Sequence, residues 1–208
     1  EVDENAAAGV CYTSGTTGHP KGVLYSHRSN VLHSLAASGV DALAIGSRTT
    51  ILPVVPLFYA NSWSIAFSAP MMGAKLVMPG AKLDGASVHE LLLNEKVTCA
   101  AGVPTVWLML LQYMQKEGKT LPDLKRLVVG GSAAPRAMIE AFEKRYGIEV
   151  LHAWGMTEMS PLGSLGSMKA CTGGLAGEAL YDLKCKQGYA PFTVEMKITD
   201  DEGRKLPW

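Results

Sequence analysis

The stretch Tyr12–Gly22, which reads YTSGTTGHPKG, concentrates groups that bind phosphate. It holds three glycines, one serine, three threonines and one lysine within eleven positions. Glycines adopt positive backbone φ and let a ligand approach closely, and the amides of such a loop can form a concave anion site. The hydroxyls add hydrogen-bond donors, and the lysine adds a positive charge that suits phosphate. We predict phosphate contacts from the following residues: Thr13, Ser14, Gly15, Thr16, Thr17, Gly18 and Lys21.

The spacing of this loop differs from that of the P-loop of nucleotide triphosphatases. A P-loop needs a glycine, four further residues, then Gly-Lys and a serine or threonine. Five residues after Gly15 the chain has Pro20, and Lys21 is followed by glycine. The next residues alternate like a strand, and a helix is predicted only from Ser29 or Asn30. The pattern therefore indicates strand, loop and strand, and the alternative is a hairpin tip rich in turn-forming residues.

A second stretch, VVGGSAAPR at Val128–Arg136, follows a predicted buried strand. Gly130 and Gly131 and the three small residues after them leave room for a flat group against the main chain, and Pro135 suits the start of a helix. The alternative is a tight turn from strand to helix without a ligand.

A third stretch, LHAWGMTEMSP at Leu151–Pro161, also follows a predicted strand. An indole followed by glycine can stack on a base, so Trp154 is a candidate for nucleotide binding. Glu158 is a candidate ligand for Mg²⁺, which prefers carboxylate oxygens together with waters and phosphates. Considered alone, Glu158 is more typical of a solvated loop carboxylate than of a metal ligand.

These three stretches together resemble the signatures of the adenylate-forming (AMP-binding) enzyme superfamily, which includes acyl-CoA synthetases, luciferases and peptide-synthetase adenylation domains. WGMTE resembles the aromatic-Gly-x-Thr-Glu signature, with Trp154 where tyrosine is usual. The resemblance implies that Glu158 and Thr13 hold the metal and that Thr157 and Glu158 are catalytic, the catalytic lysine lying outside the chain. It implies adenine or AMP contacts from these residues: Gly131, Ser132, Ala133, Ala134, Pro135, His152, Ala153, Trp154, Gly155, Met156 and Thr157.

A fourth stretch, VPLFYANSW at Val55–Trp63, resembles the segment PxFHxNxW of bacterial fatty acyl-CoA synthetases, in which the tryptophan is implicated in gating the acyl tunnel. A tyrosine stands here in place of the histidine, which leaves the accepted chain length open. The alternative is that these aromatic side chains only pack the core. The resemblance implies that an acyl pocket and its gate are formed by Tyr59, Ala60, Trp63 and Val103.

The implied function is that of an ATP-dependent acyl-CoA synthetase of the medium- or long-chain fatty acid branch. A carboxylate attacks the α-phosphate of ATP to give an acyl-adenylate and pyrophosphate, and the thiol of CoA then displaces AMP. The implied cofactors and partners are ATP, Mg²⁺, CoA and a small carboxylic acid, with a homodimer as an option. Two alternatives stay open: an adenylating enzyme for an aryl, short thioether or amino acid, and a non-catalytic nucleotide-binding homologue.

The composition is that of a globular protein with a large core. The 208 residues are 48% hydrophobic and 18% charged, and 19 basic residues balance 19 acidic ones. This neutral balance gives no case for nucleic acid or an anionic membrane as partner. No apolar run reaches the ~20 residues of a membrane helix, and no secretory pattern is present. The four cysteines lack metal or redox spacing, so we expect Cys11 and Cys99 to be buried thiols and the location to be cytoplasmic.

Short apolar segments alternate with helical ones along most of the chain. This order predicts an α/β fold with a mostly parallel sheet flanked by helices, part of the large N-terminal domain of an adenylate-forming enzyme, with ligands at the carboxyl ends of the strands. We expect residues 1–191 to form the ATP- and acyl-binding portion and residues 192–208 to begin a β subdomain. In the helix Thr105–Lys116, the residues Val106, Trp107, Leu110, Leu111 and Met114 are predicted to face the core.

Six local features are also predicted. The helix Asn30–Gly39 places Val31, Leu32, Leu35 and Ala36 on one face. Asn61-Ser62 suggests a helix start, and Ser87 and Glu90 have the spacing of a capping box. Residues 160–188 are expected to be a long loop, with a short helix near Tyr181–Cys185, and Phe192–Thr199 alternates like a strand. The other histidines, His19, His27, His33 and His89, are expected to be surface or satisfied polar groups.

The family resemblance predicts that this chain alone is inactive. The chain begins with Glu1 and stops at Trp208, and the resemblance puts the ribose-binding aspartate, the hinge residue and the catalytic lysine beyond that point. We expect the 208-residue chain to bind nucleotide weakly and to form no acyl-CoA from ATP, CoA and a fatty acid. Measurable acyl-CoA formation by the chain alone would contradict this expectation.

Overall fold

A computed structural model describes residues 1–15 and 18–207. In this part of the chain a two-stranded ribbon, β1-β2, lies beside a six-stranded sheet of order β4-β3-β5-β6-β7-β8. The strands are β1 (Ala7–Thr13), β2 (Lys21–Ser26), β3 (Thr50–Val54), β4 (Lys75–Leu76), β5 (Cys99–Gly102), β6 (Arg126–Val129), β7 (Glu149–Gly155) and β8 (Leu162–Leu165). The helices are α1 (His27–Ser38), α2 (Ala60–Trp63, one turn), α3 (Ile65–Met71), α4 (Gly85–Asn94), α5 (Pro104–Glu117), α6 (Arg136–Tyr146) and α7 (Gly177–Lys184).

The large sheet is parallel except at one edge. β3 pairs in parallel with β4 and with β5, β5 with β6, and β6 with β7, whereas β8 is antiparallel to β7. Helices connect the parallel strands, as such crossovers require. The predicted fold class, an α/β domain with a mostly parallel sheet flanked by helices, is confirmed.

Helices cover both faces of the sheet. On one face, α4, α5 and α6 enclose a core that contains the whole predicted apolar stripe of α5. Trp107 lies at the centre of this core, where its indole N–H donates to the main-chain oxygens of Gly102 and Val128. On the other face, α1 and α3 enclose a second core around Ile51, Val128 and Leu151.

The helix α1 turns a different face to the core from the one predicted. Val31 and Leu35 are about half exposed, whereas His33 and Ala37 are buried. The helix packs closely against the start of α3, where the hydroxyl oxygens of Ser34 and Ser64 are 3.5 Å apart. Small side chains allow this approach, so here close packing decided the buried face rather than hydrophobicity. The predicted face, Val31, Leu32, Leu35 and Ala36, is therefore wrong.

Three other local predictions are also wrong. The cap of α4 is Asp84, whose carboxylate accepts the main-chain N–H groups of Ala86 and Ser87, so Ser87 and Glu90 form no capping box. Residues 160–188 contain β8 and α7, which begins before the predicted short helix. Residues 192–199 form no strand, and Thr199 takes part only in an isolated bridge. Only in residues 160–188 does weak apolar periodicity explain the failure of the pattern.

Within the described residues, no helix is both long enough and apolar enough to cross a membrane.

A buried ion pair joins α7 to α6. The ammonium of Lys184 lies 2.6 Å from a carboxylate oxygen of Glu143 on α6, and both side chains are at least 85% buried. The same oxygen accepts the main-chain N–H of Val150 at 3.0 Å. Glu143 therefore ties α6, β7 and α7 together at one point.

Replacement of Glu143 by alanine should destabilise the chain. The change leaves the buried ammonium of Lys184 without a partner, which costs about 3 kcal/mol in comparable cases. Urea denaturation of the purified chain measures this loss. The control is Glu202→Ala, which removes an exposed pair with Arg204 and should change the free energy of unfolding by less than about 0.5 kcal/mol. Equal effects of the two substitutions would contradict the prediction.

Candidate active site

The carboxyl ends of four parallel strands bring the predicted site segments to one edge of the sheet. β3 is followed by the segment of Tyr59 and Trp63, and β5 by Val103. β6 is followed by Gly130, and β7 ends in the third signature stretch. Loops after parallel strands meet at the same edge, which is where such sheets bind ligands. The sheet therefore assembles segments that are up to about a hundred residues apart in sequence.

The ribbon β1-β2 presents the phosphate-loop residues at its tip. Thr13 and Lys21 are paired across the ribbon, so they lie opposite each other where the loop begins and ends. Gly15 has φ +67°, and an added Cβ would lie 2.4 Å from the main-chain oxygen of His19. A glycine is therefore required there for the loop to close. The predicted contacts from Thr16 and Thr17 lie outside the described residues.

The ribbon is docked onto the third signature stretch by Tyr25, which sequence analysis missed. The phenol hydroxyl donates to the main-chain oxygen of Thr157 at 2.6 Å, and Tyr25 is only 3% exposed. Burial raises the pKa of Tyr25 to about 12, with further contributions from Cys11 and the Glu158 carboxylate. The phenol therefore stays protonated as a hydrogen-bond donor.

His152 is bonded to the main chain of the loop 131–135, which is predicted to bind adenine. Its ring is buried, Nε2 accepts the main-chain N–H of Ala134 at 3.3 Å, and Nδ1 donates to the main-chain oxygen of Cys185 at 3.0 Å. Both ring nitrogens are thus engaged by the protein itself. His152 fixes residues 131–135 relative to the end of α7, and its direct contact with a nucleotide stays a prediction.

A cavity of about 140 Å³ joins the predicted acyl segment to the predicted nucleotide segments. Val103 adjoins it, since Cγ1 of Val103 would lie 3.2 Å from a Cβ added to Gly131.

Among the other predicted residues, Ser132, Ala133 and Pro135 are exposed and Ala134 is buried beneath them. The cavity is lined by His33, Ala37, Leu43, Tyr59, Ala60, Trp63, Val128, Gly130, Gly131, Ala153, Trp154, Gly155, Met156, Thr157, Pro161 and Leu162.

The glycine pair after β6 receives the indole of Trp63. A Cβ added to Gly130 would lie 3.1 Å from Cη2 of Trp63, and one on Gly131 would lie 3.9 Å from Cζ2. Gly131 also has φ +80°, a conformation that side chains other than glycine rarely adopt. The room predicted for a flat group at Gly130 is therefore occupied by a side chain of the protein, the candidate gate.

The segment that carries Trp63 is a left-handed turn rather than the helix start expected at Asn61-Ser62. Five consecutive non-glycine residues, 60–64, have φ between 43° and 61°. Each such residue costs roughly 1–2 kcal/mol. The fully buried hydroxyl of Ser62 donates to the main-chain oxygen of Val55 at 2.7 Å and helps to hold the turn. Strain of this kind is concentrated at functional sites.

His33 is the second residue that sequence analysis missed, since it was expected to be a surface or satisfied group. Its ring lines the cavity, and Nε2 accepts the main-chain N–H of Leu162 at 3.0 Å. Burial lowers the pKa of His33 to about 4, so the ring is neutral at pH 7. Nδ1 has no hydrogen-bond partner among the described residues. The sequence held one signal for this role. His33 and Ala37 are four residues apart on α1, so their side chains lie on the same face of the helix.

The candidate metal ligands do not form a closed cage. Within residues 1–15 and 18–207, no three His, Cys, Asp or Glu side chains come close enough together to hold a metal ion. Glu158 is exposed beside the cavity, and Thr13 is half-buried at the ribbon tip. One carboxylate with a hydroxyl fits Mg²⁺, which usually takes most of its ligands from water and phosphate oxygens.

Comparison with known proteins agrees with this arrangement. A model of the family of AMP-binding enzymes matches residues 1–208. The chain is 52% identical over 207 residues to a medium-chain-fatty-acid–CoA ligase from Ectopseudomonas oleovorans, covering 100% of this chain and 38% of that protein. It is 50% identical over 206 residues to a long-chain-fatty-acid–CoA ligase from Thermus thermophilus, covering 99% of this chain and 38% of that protein.

The fold is likewise that of solved relatives. The structure of an anthranilate CoA ligase in complex with anthranoyl-AMP superposes with a TM-score of 0.82 at 22% identity, covering 98% of this chain and 38% of that one. The chain thus spans 38% of the length of the curated relatives it matches. Because the family model matches every residue and the fold agrees, the chain belongs to the family of AMP-binding enzymes.

Proposed function

We propose that the complete polypeptide that contains this chain is an AMP-forming acid–CoA ligase for a fatty acid. It would join a carboxylate to ATP as an acyl-adenylate, release pyrophosphate, and then transfer the acyl group to the thiol of CoA. The observation that carries the proposal is the single cavity lined by both Trp63 of the gate segment and Thr157 of the nucleotide segment. Adenylation requires the carboxylate of the acid, whose tail lies on one side, to meet the α-phosphate of ATP at such a junction.

The principal difficulty of adenylation is that an anion attacks an anion. In the proposal, Lys21 and the amides at the ribbon tip offset the charge of the phosphates and of the departing pyrophosphate. Thr157 would donate to the α-phosphate. Glu158 and Thr13 would hold Mg²⁺, which supplies further charge neutralisation when bound. No residue of this chain is assigned to CoA.

The two ends of the cavity would hold the two halves of the adenylate. The tail of the acid would lie against Tyr59, Ala60, Trp63 and Val103. The adenine and ribose would lie along the loop 131–135 and the segment 153–157, where Trp154 supplies an aromatic ring. His152 would position the loop 131–135 through its hydrogen bond to the main chain of Ala134.

The proposed division of the chain places the ATP- and acyl-binding portion in residues 1–191 and the start of a following β subdomain in residues 192–208. Tyr189 is the last residue that pairs with the sheet region, through an isolated bridge to Leu165. Thr199 instead bridges to Lys205, within the final segment itself. This change of pairing partner supports the boundary.

The exchange of labelled pyrophosphate into ATP tests the first step on the complete enzyme. Exchange should depend on a fatty acid, and Glu158→Gln should lower its rate by about 100-fold because the carboxylate that would hold Mg²⁺ beside the phosphates is replaced by a neutral amide. The control is Glu90→Gln, an exposed carboxylate on α4 that should leave the rate unchanged. Exchange with aryl or amino acids but not fatty acids would refute the substrate class. Nucleotide binding without any exchange would indicate a non-catalytic homologue.

Tyr25→Phe tests whether the hydroxyl of Tyr25 positions the Thr157–Glu158 segment. Loss of one buried hydrogen bond should lower the exchange rate by about tenfold and raise the Mg²⁺ concentration needed for half-maximal rate. The KM for the acid should stay the same, because the acyl segment is untouched. Tyr12→Phe is the matched control, since Tyr12 lies on the same ribbon but is 67% exposed. Identical kinetics for the two variants would show that Tyr25 has no such role.

A further inference from the structure

The C-terminal end of α7 contacts the histidine that is bonded to the loop 131–135. Nδ1 of His152 lies 3.0 Å from the main-chain oxygen of Cys185, the residue after α7, and Nε2 lies 3.3 Å from the main-chain nitrogen of Ala134. We propose that α7 positions this loop for adenine through His152, and that Lys184 is the positioning residue that keeps α7 in place. The inference rests on the proposed function and deepens the nucleotide half of the same site.

Only one form of the imidazole ring of His152 can make both contacts. The main-chain nitrogen of Ala134 is a donor, so Nε2 must be unprotonated in order to accept. The main-chain oxygen of Cys185 is an acceptor, so Nδ1 must carry the proton. The carbonyl of Cys185 therefore selects the tautomer that leaves Nε2 able to bind the loop. Without that carbonyl the ring would be divided between two tautomers, of which one cannot accept from Ala134.

The bond from Ala134 to His152 anchors a loop that is otherwise exposed. Ser132, Ala133 and Pro135 are exposed, whereas Ala134 is buried. A buried main-chain N–H without an acceptor is strongly unfavourable, so the loop keeps this conformation while Nε2 accepts. If His152 moved away, the loop would rearrange until the N–H of Ala134 reached another acceptor.

The ion pair of Lys184 is the best shielded from water among the described ion pairs of α7. The ammonium of Lys184 and the carboxylate of Glu143 belong to side chains that are 7% and 15% exposed. Arg136 also pairs with Glu178 and Asp182 on α7, but these two side chains are 89% and 68% exposed. Exposed pairs contribute little to stability, whereas a buried charge that loses its partner is strongly destabilising. Lys184 is therefore the residue that we expect to hold the end of α7.

The same ion pair is connected to both partners of the hydrogen bond between Cys185 and His152. Lys184 directly precedes Cys185 in the chain. The carboxylate of Glu143 also accepts the main-chain N–H of Val150 at 3.0 Å, and Val150 lies two residues before His152 on β7. Loss of the ion pair should therefore separate the carbonyl of Cys185 from Nδ1.

Kinetics of the complete enzyme with Glu143→Gln and Lys184→Met combined test this role. The double variant leaves no unpaired charge buried, and the amide oxygen of the new side chain at position 143 can still accept from Val150. The KM for ATP in pyrophosphate exchange should rise by about tenfold, as expected for the loss of one hydrogen bond that orders the loop. The KM values for pyrophosphate and for the fatty acid should stay the same. An unchanged KM for ATP would overturn the inference.

The matched control is Arg126→Met, which breaks an ion pair at the opposite end of the same two strands. Arg126 and Glu149 are the first residues of β6 and β7, and their charged groups are 2.8 Å apart. This change should leave the KM for ATP as it is in the unchanged enzyme. An equal rise of that KM in the control and in the double variant would show a general loosening of the strands and would contradict a role specific to α7.

NMR spectroscopy of the complete enzyme with isotope-labelled histidine measures the tautomer of His152 directly. The ring signal is assigned by its loss in His152→Gln. The tautomer with the proton on Nδ1 should dominate in the unchanged enzyme, because Cys185 accepts from that nitrogen. A dominant tautomer with the proton on Nε2 would refute the inference whether or not the double variant folds.

Calorimetric titration with ATP and Mg²⁺ separates this inference from the proposed function, because it requires no turnover. A weaker affinity in the double variant than in the control would support the role of α7 even if no acid formed a thioester, and that absence would refute only the proposed function. Equal affinities in an active ligase would refute only the role of α7. Absence of ATP binding by the complete enzyme would refute both.

Discussion

The contact between the indole of Trp63 and the main chain of Gly130 is the constraint on which the candidate site depends. It needs a position after β6 without a side chain, and it needs the left-handed turn of residues 60–64 that delivers the indole. Each condition is unusual. The left-handed turn is strained, and a glycine has no side chain that could pack against its neighbours. Together they bring the candidate acyl segment against the candidate nucleotide segments, and a cavity lies between them.

The ribbon that carries the phosphate loop is coupled to both of these segments. Tyr25 bonds to the main chain of Thr157, and the thiol of Cys11 lies 3.8 Å from the amide oxygen of Asn61. Neither contact involves a residue of the loop itself. The loop therefore extends from a ribbon whose base is fixed to the third signature stretch and to the gate segment.

Much of the fold could be predicted, because strong periodicity reflects burial directly. The stripe of α5 was correct since a helix packed on a sheet must present large apolar side chains to it. The same argument failed for α1, whose buried face consists of His33, Ser34, Ala37 and Ser38. Close contact with α3 favours small side chains there, and a hydrophobicity pattern does not contain that information. The edge strand β8 was missed because four residues rich in Gly and Ser carry little pattern.

The sequence by itself determined the α/β class and located the candidate phosphate loop, the two other signature stretches and the candidate gate segment, because these depend on local residue types at short spacing. Only the tertiary structure decided that His152 serves the loop through its main chain, that Tyr25 holds Thr157, and that His33 belongs to the cavity. These roles arise between residues 18 to 132 positions apart in the chain. The distance between such residues is set by the packing of the sheet and helices, and no local spacing of residue types records it.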